Sequence, residues 1–230
     1  MPRMMGNKDQ VLLQGRISYG IGQDGYFYPV NATSGKTIQT VPYAASTIAA
    51  SVLATSNVID LSKAQQATIF IDHGRAETAA WGAAGGTNYI IQVSEKATGN
   101  DTWVAFTTIV AGTAGASSAL SSGAVTAAQT SIVILSSTAF VASDFVMWAN
   151  TADMANSTEW ATVSTVTGTA SFTVLDPMTN AQGSTVVITN KSEHWAQTMD
   201  CRAFSRARVV INNTTGTTSA IRSRVACITV

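Results

Sequence analysis

Apolar and polar residues alternate with a period of two along several short runs of this chain. In the run 206–212, Val209 and Ile211 fall on one face, and Arg206 and Arg208 fall on the other. This alternation is typical of half-buried β-strands, and clusters of Gly, Asn, Asp and Ser separate the runs. Further strand-like runs lie at 67–72, 88–94, 103–110, 130–135, 144–148, 159–164, 171–175, 185–189 and 219–230. The pattern predicts an all-β protein with antiparallel sheets.

Two turn signals indicate which strands pair. The residues at 99–101 are Gly, Asn and Asp, which supply the positive-φ positions that tight hairpins need. The turn at 213–216 predicts a second hairpin, between the runs 206–212 and 219–230. In that hairpin four arginines would share one face, either as a solvated face or as a basic stripe that contacts an acidic patch of another subunit. These residues are Arg206, Arg208, Arg222 and Arg224.

The N-terminal part of the chain differs in composition from the rest. Residues 1–47 mix Gly, Asn and Gln with aromatic residues and predict an extended arm. Within it, the cluster Tyr26, Phe27 and Tyr28 is costly to leave in water. We expect this cluster to dock on the body of the protein or on a neighbouring subunit.

The remaining sequence predicts two β units. Residues 48–113 and 193–230 are expected to form an antiparallel β-sandwich of jelly-roll-like type. The stretch 113–125 is almost entirely Ala, Gly, Ser and Thr, a composition suited to leaving one body and entering another. We therefore expect a small inserted β-domain at 114–192.

Charge is scarce and balanced in this protein. Only 11% of the 230 residues are charged, and 13 basic residues cancel 13 acidic ones. A chain without net charge attracts neither nucleic acid nor an anionic membrane over long range, and low charge favours association. No apolar run reaches the length of a membrane span, and the N-terminus lacks the apolar segment of a secretory signal. We expect subunits to cover much of the surface.

Residues able to carry chemistry are few. Asp72 and His73 are sequence neighbours, and neighbours on a strand point to opposite faces, so they would not meet at one substrate. His194 is the only other histidine, which leaves little for a metal site. A buried thiol is expected at Cys201 and at Cys227, and a disulfide between them is disfavoured. We expect no catalytic residue, no cofactor site and no metal site.

Tryptophans offer the alternative of sugar binding. Four of the five lie in alternating strand patterns, which favours packing in a core or interface. Trp81 instead lies in a loop rich in Ala and Gly and is the best candidate for an exposed anchor. The alternative is therefore a carbohydrate-binding adhesin or host-recognition module, with Trp81 or the inserted domain as the contact and a glycan as partner.

Several segments together resemble structural proteins of tailed bacteriophage virions. They are 59–64, 67–71, 95–103, 140–144, 159–160 and 212–216. The resemblance implies a non-enzymatic β-rich component of the head, neck or tail, assembled in the host cytoplasm and present in many copies in the virion. Its expected partners are copies of itself and other virion proteins, with no membrane and no specific nucleic acid. Its expected role is to stabilise the capsid, neck or tail.

Overall fold

The structure is a computed structural model, and its described residues contain β-strands and no α-helix. The described residues are 18–21, 27–30, 37–49, 51–75, 86–100, 102–111, 118–120, 123–149, 158–183, 186–190, 192–214 and 221–230. Every strand pairing among them is antiparallel. The prediction of an all-β sandwich is confirmed. No helix in this part of the chain is long and apolar enough to cross a membrane.

The strands are numbered here in chain order. They are β1 (Ser18–Ile21), β2 (Phe27–Val30), β3 (Thr37–Ile48), β4 (Leu53–Thr55), β5 (Ile59–Asp60), β6 (Gln66–Arg75), β7 (Thr87–Ser94), β8 (Val104–Val110), β9 (Ser118–Leu120), β10 (Ser131–Val133), β11 (Phe145–Ala149), β12 (Glu159–Thr167), β13 (Ser171–Val174), β14 (Val187–Thr189), β15 (Glu193–Asp200), β16 (Arg206–Asn213) and β17 (Ile221–Thr229). β1 and β2 pair with each other as a two-stranded sheet.

Two sheets form the main body, with strand orders β15-β6-β17-β3 and β4-β16-β7-β8. The short β5 joins the second sheet by pairing with β16. Leaving β5 aside, the first strand of this body pairs with the last, the second with the seventh, the third with the sixth and the fourth with the fifth. This nested order is that of a jelly roll.

The core of the jelly roll lies between the two sheets. Every second residue of β6 and of β16 points inward, as the alternation in the sequence predicts. Ile69 and Ile71 from the first sheet join Val209 and Ile211 from the second in one buried cluster. Because the apolar positions of both sheets face each other, the strand register is fixed along most of the body.

Strands β9 to β14 lie between β8 and β15 in the chain and form a six-stranded sheet of their own. We call this unit the insert. It has a separate buried cluster, in which Phe172 stacks on Phe140 with ring centroids 5.3 Å apart and lies near Trp148. Phe172 and Trp148 are fully buried. The insert therefore has a hydrophobic core distinct from that of the jelly roll.

The hairpin predicted at 99–101 is confirmed, because β7 and β8 pair across it. Gly99 adopts a φ of 98°, which a residue with a side chain rarely tolerates. A second turn joins β12 and β13 through Gly168, whose φ is 63°. Both turns fall where glycine interrupts an alternating pattern in the sequence.

The expected arm ends earlier than predicted. Residues 37–47 belong to β3, which pairs with β17 along the edge of its sheet. Pro42 is compatible with this position because an edge strand does not need an N–H donor on its open side. The register shifts twice along β3 on either side of Tyr43, so the strand bends at this point.

Candidate functional site

The predicted hairpin between β16 and β17 is wrong, and the basic stripe of four arginines does not form. β16 pairs with β4, β5 and β7 in one sheet, whereas β17 pairs with β3 and β6 in the facing sheet. The chain crosses from one layer of the jelly roll to the other between them, because each strand finds its partner far away in sequence. The arginines therefore occupy two separate sites.

Arg206 and Arg208 flank one tryptophan on the outer face of the second sheet. Their guanidinium carbons lie 4.5 and 4.3 Å from the ring centre of Trp103. Arg206 also donates to the carbonyl of Gly99, and Arg208 Nε donates to Gln92 Oε1 at 2.8 Å. Burial lowers the pKa of Arg208, and neighbouring Arg206 lowers it further. These contacts join the 99–101 turn to the sheet, and cation–π attraction stabilises them.

Arg224 instead belongs to a row of charged residues across the first sheet. It lies opposite Asp72 of β6, and His194 of β15 lies opposite the same residue on the other side. Arg224 Nε and Nη2 lie 2.6 and 2.5 Å from Asp72 Oδ2. His194 Nδ1 donates to Asp72 Oδ1 at 2.5 Å. The Asp72 side chain is 5% exposed, so one buried carboxylate is held by two cationic or polar partners.

The insert contacts the jelly roll next to this charged row. The Arg224 guanidinium lies 5.0 Å from the ring centre of Trp160 in β12, and Trp160 Nε1 donates to the carbonyl of His73 at 3.3 Å. Phe145 of β11 lies against His194, with ring centroids 5.7 Å apart. We call Arg224, Asp72 and His194 the Asp72 row. This row forms part of the contact between the insert and the jelly roll.

Gly74 allows the close approach of the two units. A Cβ at this position would collide with Met147 Sδ of the insert and lie 2.9 Å from Ser192 Oγ. Met147 is fully buried although it points away from the core of the insert. The residue opposite Gly74 on β17 is Arg222, which is 2% exposed. Burial lowers the pKa of Arg222.

The inner face of the same strands carries a buried hydrogen-bond chain. His73 Nδ1 lies 2.7 Å from Tyr89 Oη, which lies 2.5 Å from Ser223 Oγ. All three residues are fully buried, and burial is the main cause that raises the pKa of Tyr89. As predicted, Asp72 and His73 point to opposite faces of β6. Tyr89 belongs to the second sheet, and His73 and Ser223 belong to the first, so these hydrogen bonds join the two sheets.

The outer face of the second sheet has an uncharged region. Two rows cross it, one from Leu53 to Val110 and one from Thr55 to Thr108. Leu53 and Val110 are each 62% exposed. The rows contain Leu53, Asn212, Asn88 and Val110, and Thr55, Val210, Ile90 and Thr108. We call these eight residues the neutral face.

Other predicted contact residues lie in β2 or outside the described residues. Phe27 pairs with Ile21 and Tyr28 with Gly20 in the sheet of β1 and β2. Tyr26 and Trp81 lie outside the described residues. Their role in contacts, like that of the arginines, stays a prediction.

An open depression and two buried thiols also lie in the described part of the chain. An open depression is lined by Gln65, Gln66, Asp200 and Arg202. Hydrogen bonds from Arg202 lower the pKa of the exposed Asp200 to about 2. No group of three or more His, Cys, Asp or Glu side chains among the described residues could hold a metal ion. Cys201 and Cys227 are buried and free.

The sequence analysis missed the Asp72 row. Asp72 and Arg224 are 152 positions apart, and His194 is 122 positions from Asp72. No local pattern joins them, since only the pairing of β6 with β15 and β17 brings them together. The one local signal is that Asp72 and Arg224 are charged residues in strands that are otherwise largely apolar.

Comparison with protein-family models, with curated proteins and with solved structures found no match for this chain.

Proposed function

We propose that this chain is a non-enzymatic structural component of a tailed bacteriophage virion, where it stabilises the capsid, neck or tail through contacts between subunits. The observation that carries the proposal is a jelly roll with an uncharged, partly apolar outer face. Jelly rolls build many viral capsid domains. The neutral face offers apolar area with no charge to desolvate, which suits a permanent contact.

The arrangement of polar groups favours assembly over catalysis. The Asp72 row lies where the insert contacts the jelly roll. The hydrogen bonds that link His73, Tyr89 and Ser223 are closed to solvent. A general acid or base must reach the proton that it transfers. The buried His73, Tyr89 and Ser223 therefore support the fold. In the Asp72 row only Asp72 is buried, and its two partners, His194 and Arg224, are 45% and 42% exposed and are both engaged with it.

The composition of purified particles tests this proposal. Particles from lysates in which the chain is produced are separated on a density gradient, and its peptides are quantified against those of the main shell protein. We expect the chain to sediment with particles at a constant ratio. If it remains entirely in the soluble fraction while intact particles form, the proposal is wrong.

A pair of matched variants tests the neutral face itself. Leu53→Lys places a charge on this face, and Leu175→Lys places one on the insert at a residue that is also 62% exposed. We expect Leu53→Lys to lower incorporation into particles by about tenfold or more, the equivalent of one desolvated charge. Leu175→Lys should be incorporated as the natural chain is.

Carbohydrate binding is the second candidate, because jelly rolls also form lectin domains. Trp148 is buried, and Trp195 packs against the core of the jelly roll. Trp103 lies beside two arginines, and Trp160 contacts Arg224. Among the tryptophans, the adhesin hypothesis therefore depends on Trp81. Binding to a glycan array that Trp81→Ala abolishes would favour it over the virion component.

A further inference from the structure

We propose that β8 is a self-association edge through which two copies of this chain pair antiparallel about a two-fold axis. The pairing would join the two five-stranded sheets into one continuous sheet across the dimer. This inference rests on the proposed assembly function and names one contact through which that function would act. The partner is a second copy of the same chain.

β8 lies at one edge of the second sheet. Among the described residues it has one strand neighbour, β7. Its sequence, VAFTTIV, contains no charged residue, no proline and no glycine. Natural edge strands normally carry such residues because an open row of N–H and C=O groups invites pairing with another chain. β8 has seven residues without charge or proline, and its one register shift, near Phe106, leaves Thr107–Val110 regular.

The other edges in the described part of the chain differ from β8. β15 carries Glu193, His194 and Asp200, and β3 carries Pro42 and two register shifts. β4, β9 and β10 have three residues each, and β1 and β2 have four. Short, charged or bent edges are the usual protections against pairing. β8 therefore stands out among the described edges of the protein.

The lack of charged residues in β8 favours a second copy of the chain as the partner. A two-fold antiparallel contact places residue i of one copy opposite residue j of the other and j opposite i, so a strand that carries charges of one sign would repel its copy. An uncharged strand pays no such cost. Val104, Phe106 and Val110 are 65%, 41% and 62% exposed, and they are positioned to lose water when a second strand approaches. Each copy uses its edge once, so the contact closes as a dimer.

The hydrogen-bond pattern between β7 and β8 identifies the backbone groups of β8 that do not bond to β7 and can pair with a second copy. The N–H of Ala111 donates to the carbonyl of Thr87 at 2.9 Å, which makes this a hydrogen-bonded pair. Bonded and non-bonded pairs alternate along an antiparallel ladder, so Thr108, opposite Ile90, occupies a non-bonded position. Its N–H points away from β7. The register shift near Phe106 leaves Thr107–Val110 as the regular part of the edge.

Thr108 is consequently the position for a test. Thr108→Pro removes an N–H that β7 does not use, and proline is tolerated at such edge positions. Thr108→Lys adds a charge that would face its own copy. Val133→Lys is the matched control, because it adds the same charge at an exposed strand residue of the insert. Circular dichroism and thermal unfolding report whether each full-length variant folds.

Sedimentation velocity of the purified full-length chain over a wide concentration range measures the pairing. We expect the natural chain and Val133→Lys to show the same monomer–dimer equilibrium. Thr108→Lys should raise the dissociation constant by about tenfold or more, and Thr108→Pro should be monomeric. If Thr108→Pro does not fold, Thr108→Lys decides the question.

Two results would overturn the inference: a natural chain that stays monomeric at the highest concentration, or Thr108 variants that dimerise like the natural chain. Hydrogen exchange gives an independent measurement, since the amides of Thr108 and Val110 should exchange more slowly as concentration rises. A monomeric chain that still enters particles would refute pairing through β8 and leave the proposed virion function standing. A dimer that never enters particles would leave pairing through β8 standing and refute the proposed virion function.

Discussion

Arg224 and Asp72 lie directly opposite each other on β17 and β6, and Arg224 Nε donates to Asp72 Oδ2 at 2.6 Å. The same guanidinium lies 5.0 Å from the ring centre of Trp160. One ion pair of the jelly-roll sheet thus also contacts the insert. A carboxylate on β6 therefore fixes the arginine that the insert packs against.

Removing the charge of Asp72 should destabilise the fold. Asp72→Asn keeps the volume of the side chain, but an amide cannot accept from both Arg224 and His194. We expect a loss of about 1–3 kcal/mol in the free energy of unfolding, the cost of leaving a largely buried polar group unsatisfied. Urea unfolding followed by tryptophan fluorescence measures it.

Asp200→Asn is the control for this experiment. Asp200 pairs with Arg202 at the surface, where the two side chains are 55% and 71% exposed. Exposed ion pairs contribute little because water screens them. We expect no measurable change in Asp200→Asn, and equal effects of the two variants would contradict the role given to Asp72.

A methyl group at Gly74 should disturb the joint between the insert and the jelly roll. Gly74→Ala places a Cβ against Met147 Sδ, and Met147 is fully buried and cannot move freely. Overpacking of this kind costs about 1–3 kcal/mol. Gly183→Ala is the control, because nothing lies within 4 Å of a Cβ at that position. Thermal unfolding compares the two.

A double-mutant cycle assigns the cause. In a Met147→Ala background the collision with Met147 is removed and only Ser192 Oγ stays close, at 2.9 Å, so Gly74→Ala should cost less than it does in the natural chain. An unchanged cost in both backgrounds would mean that the strain does not come from Met147.

Local sequence patterns predicted which segments form strands and where tight turns lie. The β7–β8 hairpin follows from Gly99 and its neighbours, because only a few residues separate the two strands. Alternation also predicted that Val209 and Ile211 point into the core. These features depend on the chain within a few positions of each residue.

The pairing of distant strands could not be derived in this way. The turn at 213–216 resembles a hairpin signal, yet β16 and β17 lie in opposite sheets. β16 pairs with β7 and β17 pairs with β6, and both partners are distant in sequence. The Asp72 row arises from that remote pairing. The assignment of residues 37–47 to an arm was wrong for the same reason, since β3 is held by β17.

The buried hydroxyl of Tyr89 should contribute to the stability of the fold. Tyr89→Phe removes the oxygen that lies between His73 Nδ1 and Ser223 Oγ. We expect a loss of about 1–3 kcal/mol, because buried polar groups are left without their partner. Ser223→Ala alone should also destabilise. The double variant should cost less than the sum of the two, since both remove the same hydrogen bond. Strict additivity in urea unfolding would contradict the chain of contacts.

The two buried cysteines should make stability fall at alkaline pH. Burial raises the pKa of Cys201 from its ordinary 9.0 to about 11, and it raises the pKa of Cys227 to about 12. Above about pH 9 the unfolded thiols lose protons while the folded ones keep them. The unfolded state then binds fewer protons, so stability decreases as pH rises, by at most about 1.4 kcal/mol per pH unit for each thiol. Urea unfolding between about pH 8 and about pH 10 measures this slope.

The variant that carries both Cys201→Ala and Cys227→Ala separates this effect from other titrations. It will be less stable at every pH because each substitution leaves a small cavity. Its loss of stability with rising pH should nevertheless be shallower than that of the natural chain, since the two groups that keep their protons only in the folded state are gone. Iodoacetamide should modify the natural chain at the rate at which it unfolds, because the reactive thiolate is scarce in the folded protein. Parallel pH slopes in the two proteins, or rapid alkylation of the folded chain, would show that these thiols are not protected by burial.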